Sequence, residues 1–352
     1  MVSNRQNSSP TPAQQTSTIF PPAQEISAGI WKITLPIPFP LKTVNVYALV
    51  GKTGWTLIDT GMGTPAAREA FTAGLKKANL NIAHLQSIVL THHHPDHIGL
   101  SGELQEQSGA RVYMHPIDEQ TLHFIWSETT PRRFSAVSNF FRQHGMEPTT
   151  PTLTETPPPD PKAMRAVLRV PPHEAFTLVE DGETLEIAGE RYEVFWVPGH
   201  SDGLIALFRR RDGVFLAADH VLPRITPNIG LYSTHDRPNP LGDYLNSLSK
   251  VANLPASIVL PGHGEPFTHL HERTDEISAH HAERLHHILQ LLAPEPRSAY
   301  AITCQLFASR LKSDDALRMA FAEVLAHLEY LRFTGKVAQK LVADERILYT
   351  LV

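Results

Sequence analysis

The chain has 352 residues, 41% of them hydrophobic, enough for one large or two modest domains with a sizeable core, and this excludes disorder of the whole. A formal net charge of -5, with 31 basic and 36 acidic residues mixed along the chain, gives none of the electrostatic footprint a duplex-binding protein needs. The single cysteine, Cys304, excludes an intrachain disulfide framework, fits a reducing compartment and leaves any metal to histidine and carboxylate.

Residues 1–25 are rich in Ser, Asn, Gln, Thr and Pro, lack an apolar run suited to a signal peptide, and are expected to form a disordered leader. No later segment approaches the roughly 20 apolar residues of a membrane span, so the expectation is a cytoplasmic protein with no membrane partner. From Gly29 to Gly61 the runs GIWKITLPIP, VNVYALVG and WTLIDTG, separated by Pro, Lys and Gly, read as short strands. Helical spacing follows from Pro65 to about Leu80, with proline in the first turn. Then come the strand SIVLTH, a helix near Leu100 to Gln107 and the strand ARVYMH, an alternation that predicts a sandwich with helices outside its sheets.

Residues 116–172 break that rhythm. They carry Phe124, Trp126, Phe134, Phe140, Phe141, Met146 and Met164 and then a proline-dense run, and read as an inserted cap, either a surface insertion or a lid that shapes a substrate pocket. Strands resume in DGETLEIAGERYEVFWVPGH, DGLIALFRR and GVFLAADHV, followed by a helix near Leu241 to Ala252, the strand SIVLPGHG and a long helix from about His269 to Leu292. After a linker, APEPR, three short helices and a hairpin are expected within Ser298–Val352, the outline of a winged helix. Its residues from Arg297 on hold eight Lys or Arg against six Asp or Glu, which favours a packing or dimerisation module over a DNA reader.

The chemistry is concentrated at strand ends. In THHHPDHIG, alternate residues leaving a strand project to one side, so His92 and His94 can converge on one ion while Asp96 and His97 face a second position. Imidazole with carboxylate and no thiolate suits zinc, iron, manganese or nickel. Further donors follow three later strands: His200 in WVPGHSDG, Asp219 in FLAADHV and His263 in VLPGHGEP. Glycines beside His200 and His263 let the backbone turn sharply, and the two oxygens of Asp219 can bridge two cations.

With these residues in view, the chain resembles the metallo-β-lactamase-fold hydrolases, whose five sequence blocks appear in order as LIDTG, THHHPDHIG, PGHS, AADH and PGHG across residues 54–264. The resemblance implies an α+β fold, a four-layer αββα sandwich over residues 26–293 with the cap inserted at 116–172, and a C-terminal winged-helix-like domain over 294–352. It implies two divalent ions, with zinc the first expectation. His92, His94 and His200 would hold one, Asp96, His97 and His263 the other, and Asp219 would bridge them. Asp59 of LIDTG would orient a ligating histidine. His93 and His220 are expected to lie outside this set, and His269, His271, His280, His281, His286 and His287 to be surface residues.

The reaction so implied is hydrolysis, a hydroxide held between the cations attacking a carbonyl or phosphorus while Asp96 or Asp219 handles the proton. The winged-helix branch of the family includes hydroxyacylglutathione hydrolases, acyl-homoserine lactonases and a single-stranded-RNA endoribonuclease. Three functions are therefore open: hydrolysis of an ester, thioester or lactone of a small acyl substrate; cleavage of single-stranded RNA; or a non-catalytic nucleic-acid-binding regulator with structural metals. The apolar insertion favours the first, since it could hold an acyl chain. A true β-lactamase is least favoured, such enzymes being typically secreted. Arg132, Arg133, Arg142, Arg165 and Arg169 are either solvated surface or a seat for an anionic group, and Tyr232 either an oxyanion donor or packing. Phe321, Val324, Leu325, Leu328 and Leu331 form an apolar face for a domain core or a homodimer.

Overall fold

The computed structural model describes residues 23–125, 130–146, 166–308, 311, 313–342 and 345–352, with only the backbone described over 130–135. Seven strands form one sheet in chain order: β1 (Gln24–Ser27), β2 (Ile30–Pro36), β3 (Thr43–Val50), β4 (Trp55–Ile58), β5 (Leu85–Val89), β6 (Arg111–Met114) and β7 (Phe176–Leu178). The leader expectation thus lies largely outside the described residues, but its last two residues, Gln24 and Glu25, belong to β1. The second sheet has the order β12-β11-β10-β9-β8, from β8 (Thr184–Ile187), β9 (Glu190–Trp196), β10 (Ile205–Arg209), β11 (Val214–Ala218) and β12 (Ile258–Pro261).

Period-two alternation decides which layer each strand residue joins. Ile205, Leu207, Val214 and Leu216 point inward and meet Tyr47, Leu49, Ile58 and Val89 of the first sheet in a core between the sheets. Their chain neighbours Ala206, Phe208, Phe215 and Ala217 point outward and pack under helices α6 (Pro240–Val251) and α7 (Leu270–Leu292), against Leu241, Tyr244, Leu248 and Ile277. On the opposite side Ile33, Val46, Leu57, Ile88 and Val112 lie beneath Phe71 and Leu75 of α1 (Pro65–Lys77) and Leu104 of α3 (Ser101–Ser108). Three stacked cores make the four layers αββα. Each fully buried Leu, Ile or Phe contributes roughly 1.5–3 kcal/mol, so the alternation strongly fixes register.

The strand directions gather the site. β4, β5 and β6 run parallel, as do β11 and β12, so their carboxyl ends open on the same edge of the sandwich. The loops that carry Asp59, His92–His97, Asp219 and His263 all leave from those ends.

The insertion begins with α4 (Pro116–Ile125) and α5 (Thr130–Gln143). Phe140, Phe141 and Met146 are buried in one core with the C-terminal helices, Phe141 meeting Phe321 edge to face at 4.8 Å, so these aromatics support packing rather than an open acyl pocket. Phe124 is exposed; Trp126 and Met164, and the side chains of Phe134, Arg132, Arg133 and Arg165, fall outside the described residues.

After α7 the described tail has two helices, α8 (Ala299–Phe307) and α9 (Asp314–Phe333), and the hairpin β13 (Val337–Leu341) with β14 (Ile347–Leu351), where three short helices were expected. The linker is tied down: Arg297 and Tyr349 exchange backbone hydrogen bonds of 3.0 and 2.8 Å. Phe321, Val324, Leu325, Leu328 and Leu331 are all buried within the chain, which makes them core and leaves no dimer face on that stripe. One histidine of α7 departs from the surface expectation: His281 is 1% exposed and its Nδ1 lies 3.0 Å from Nε2 of buried His327 on α9. No helix among the described residues is long and apolar enough to cross a membrane.

Candidate metal centre

Asp59 follows β4, and its φ of 56° places a non-glycine residue in the left-handed region, a strained arrangement. Both its oxygens are used. Oδ1 accepts from the Thr91 amide at 2.8 Å, and Oδ2 accepts from the Thr91 hydroxyl and from His97 Nδ1, each at 2.8 Å. His97 is thereby fixed with Nε2 turned inward, 3.4 Å from Asp219 Oδ2 and without a hydrogen-bond partner. His94 caps the one-turn helix α2 (Pro95–Ile98), with Pro95 preset at its first position, so Asp96 and His97 rise from that turn on the same side of the loop.

The remaining donors are oriented by backbone carbonyls. His200 Nδ1 donates to Asn228 O at 2.9 Å and His263 Nδ1 to Thr43 O at 2.6 Å, which fixes both tautomers and leaves both Nε2 atoms inward. Asp219 follows Ala218, itself left-handed at φ 48°. Its Oδ2 lies 3.4 Å from Nε2 of His97, 3.4 Å from Nε2 of His200 and 3.3 Å from Nε2 of His263. Asp96 Oδ2 is 3.4 Å from His263 Nε2, and His92 Nε2 is 3.0 Å from His94 Nδ1. The donor atoms fall into the groups His92, His94, His200 and Asp96, His97, His263, with Asp219 in a third group beside His92 and His97.

Two glycines make the approach possible. A side chain on Gly199, at φ 137°, would collide with Tyr244, its Cβ only 2.4 Å from Tyr244 Cβ, and a Cβ on Gly262 would fall 2.1 Å from Asp219 Oδ1.

A divalent cation fits this donor set on the structure's own terms. Buried Nε2 atoms of His97 and His200 and Oδ1 of Asp219 have no hydrogen-bond partner, a costly state unless a cation satisfies them. Burial drives His92 and His94 down from 6.5, reinforced by neighbouring imidazoles, so both stand in the neutral, ligating form. Burial alone would lower His97 and His263, yet the carboxylates around them win: His97 is raised well above 6.5 and His263 to about 10. Burial likewise opposes ionisation of Asp96 and Asp219, and the imidazoles override it and hold both below 3.8.

Other candidates fall outside the group. His93 turns its Nδ1 away to Asp118 at 3.0 Å, and His220 is buried against the Tyr244 ring. The Tyr232 hydroxyl donates to Asn228 Oδ1 at 3.0 Å, one residue behind His200. Arg142 bonds Asn139, and Arg169 pairs with Glu106 in the open.

Asp118 was not legible in the sequence. Fully buried at the start of α4, it accepts from His93 N at 2.9 Å, His93 Nδ1, Ser201 Oγ at 2.7 Å and Gly203 N at 2.7 Å. It thus ties the loop of His92 and His94 to the loop of His200. Burial pushes its carboxyl up, but His93 and these hydrogen bonds prevail and hold it at about 2. The C-terminal region reaches the site as well: Leu231 N donates to Ala322 O at 3.0 Å and Asn228 Nδ2 to Met319 O at 3.3 Å, so α9 grips the loop whose carbonyl orients His200.

An αββα sandwich with histidine and aspartate donors gathered at one edge is the architecture of a metallo-hydrolase. The chain belongs to the metallo-beta-lactamase superfamily, whose domain matches residues 40–263; a metallo-beta-lactamase-like C-terminal domain matches residues 285–352. It is similar to the probable metallo-hydrolase YqjP of Bacillus subtilis, 28% identical over 85% of this chain and 91% of that protein. Among solved structures it resembles a metallo-beta-lactamase family protein of Thermus thermophilus, at TM-score 0.79 and 38% identity over 93% of this chain and all (100%) of that one. A beta-lactamase domain protein of Burkholderia ambifaria superposes at TM-score 0.81, 27% identical over 95% of this chain and 96% of that one.

Proposed function

We propose that the protein is a binuclear metal-dependent hydrolase that cleaves an ester, thioester or lactone bond of a small acyl substrate, with zinc as its ion. The observation that carries this reading is Asp219 Oδ2, 3.3–3.4 Å from three inward Nε2 atoms that belong to both donor groups, the place of a bridging carboxylate. His92, His94 and His200 would hold one ion, and Asp96, His97 and His263 the other. When bound, such a pair supplies Lewis acidity toward a carbonyl oxygen and brings the pKa of a coordinated water to about 7.

The chain's own residues do the rest. Asp59, Thr43 and Asn228 fix which nitrogen of His97, His263 and His200 faces the site, so no tautomer change precedes binding. Asp96, held ionised, is the carboxylate placed to accept a proton beside His263. The absence of thiolate among the donors favours a borderline ion such as zinc over one that selects sulfur.

The test is a substrate panel on purified protein, with metal analysis of the same sample: a homoserine lactone, a glutathione thioester, a phosphodiester and single-stranded RNA. About two ions per chain and fastest turnover of a carbonyl substrate are expected. A rate on RNA exceeding the carbonyl substrates by orders of magnitude would overturn the substrate class, and metal-free material with full activity would overturn the whole reading.

A further inference from the structure

A second set of donors lies at the root of the inserted segment and shares no residue with the centre above. Glu119 and His123 stand one turn apart on α4, an i, i+4 pair on one helix face. His173 opens a single 3-10 turn, His173–Ala175, just ahead of β7. The three side chains therefore join the chain before the insertion to the chain after it.

Their geometry is that of a ligand set with its charges unbalanced. Glu119 Oε1 lies 3.2 Å from His123 Nε2 and 2.5 Å from His173 Nδ1, and the donor atoms all fall within 4.8 Å of one another. The two imidazoles stack with centroids 3.5 Å apart, and Phe176 closes His123 edge-on at 5.6 Å. Glu119 is buried, so its carboxylate needs a positive partner. His173 gives it one hydrogen bond. His123 Nε2, shielded from solvent and facing the same oxygen, makes none.

A lone pair and a carboxylate oxygen facing each other at that distance repel unless a proton or a cation stands between them. A proton on Nε2 would have to aim at that oxygen, yet the two atoms make no hydrogen bond at 3.2 Å, whereas a cation beside both satisfies both. Tetrahedral zinc, with arms of about 2.0–2.2 Å, separates neighbouring donors by roughly 3.4 Å. The Glu119–His123 spacing of 3.2 Å is close to that. His173, its side chain 64% exposed, is free to swing back by the difference and to leave a fourth position to water.

We propose that Glu119, His123 and His173 form a further zinc-type site, one carboxylate and two imidazoles, that staples α4 to the chain entering β7. The exposed Glu174 beside it adds negative potential that draws the cation in. The site is structural in character, since it joins two ends of an insertion.

The full chain, stripped with chelator and dialysed against zinc chloride, tests this by zinc content per chain in wild type, His173→Ala and Glu119→Gln. Wild type should hold one more ion than either variant, whatever the paired centre retains, because that centre contributes equally to all three. Metal-free His173→Ala, which loses the hydrogen bond to Glu119 and the stack on His123, should melt somewhat below metal-free wild type, and the zinc-induced rise in melting temperature, each protein measured against its own metal-free form, should be smaller in the variant. Crystals of zinc-loaded wild type should show an anomalous peak between the three side chains. Equal zinc content in wild type and both variants, or the lack of that peak, would overturn the proposal.

Discussion

Replacing Asp118 by asparagine should loosen the centre without touching a ligand. The carboxylate is fully buried, and holding it at about 2 rather than 3.8 corresponds to about 2 kcal/mol of preference for the charged form. The contribution is complete at any pH above 3.8 and is lost only as pH falls through about 2, so the effect is fully visible at pH 7. Asparagine keeps the shape and can offer its oxygen to His93 and Ser201, but its amide group then meets the Gly203 N–H as donor against donor, at about 1–3 kcal/mol for the buried unpaired group. These losses overlap, so we expect Asp118→Asn to be destabilised by about 3 kcal/mol in urea unfolding at pH 7. Because the residue joins the loops of His94 and His200, metal affinity measured against a competing chelator should fall by about 10–100-fold. A variant within about 0.5 kcal/mol of wild type, with unaltered metal retention, would refute the reasoning.

Three further outcomes follow from the geometry. Gly262→Ala puts a methyl 2.1 Å from Asp219 Oδ1 and 3.0 Å from His97 Cε1, so the Asp219 carboxylate must shift; metal content after dialysis should drop, and full retention would contradict the bridging role proposed for Asp219. Metal-free protein at pH 7 carries protons on His97 and His263, both raised, and zinc uptake must displace them; calorimetry in buffers of different ionisation enthalpy should show release of about two protons per chain, and uptake with none would count against these ligands. His144, His327 and His281 are lowered by burial to about 4, 3 and 2, so their contribution is complete above the ordinary 6.5 and drains away as pH falls below it. For His144 alone, urea unfolding at pH 5 should show about 2 kcal/mol less stability than at pH 7, and a flat profile would argue against buried neutral imidazoles.

The strand ends were legible because an apolar run such as SIVLTH or FLAAD states where it stops, and the donor after it must then lie at the sheet edge. What holds those donors was not. Thr43 and Asn228 act through backbone carbonyls, which carry no residue-type signal, and Asp118 acts on His93, Ser201 and Gly203, which are distant from it in sequence. His281 was misplaced although a signal existed: Ile277, His281, Ile288 and Leu292 share one apolar stripe of α7, at helical spacing. Read as a stripe rather than as a histidine-rich helix, it predicts a buried imidazole. His327 then completes the pair, its Nδ1 donating to Glu323 O at 2.7 Å and its Nε2 accepting from His281. The insertion's aromatics misled for the reverse reason, since composition tells that Phe140 and Phe141 must be covered but not by what.

The grip of α9 on the loop of Asn228 means that the two regions of the chain do not come apart cleanly. A version ending near residue 293 would lose Met319 and Ala322, and with them the clamp that keeps the Asn228 carbonyl under His200. Swapping tails among relatives, or trimming them for crystallisation, would retune ion retention at a distance even though no ligand is removed. A stripped-down catalytic half should therefore be judged by how long it keeps its metal rather than by whether it folds.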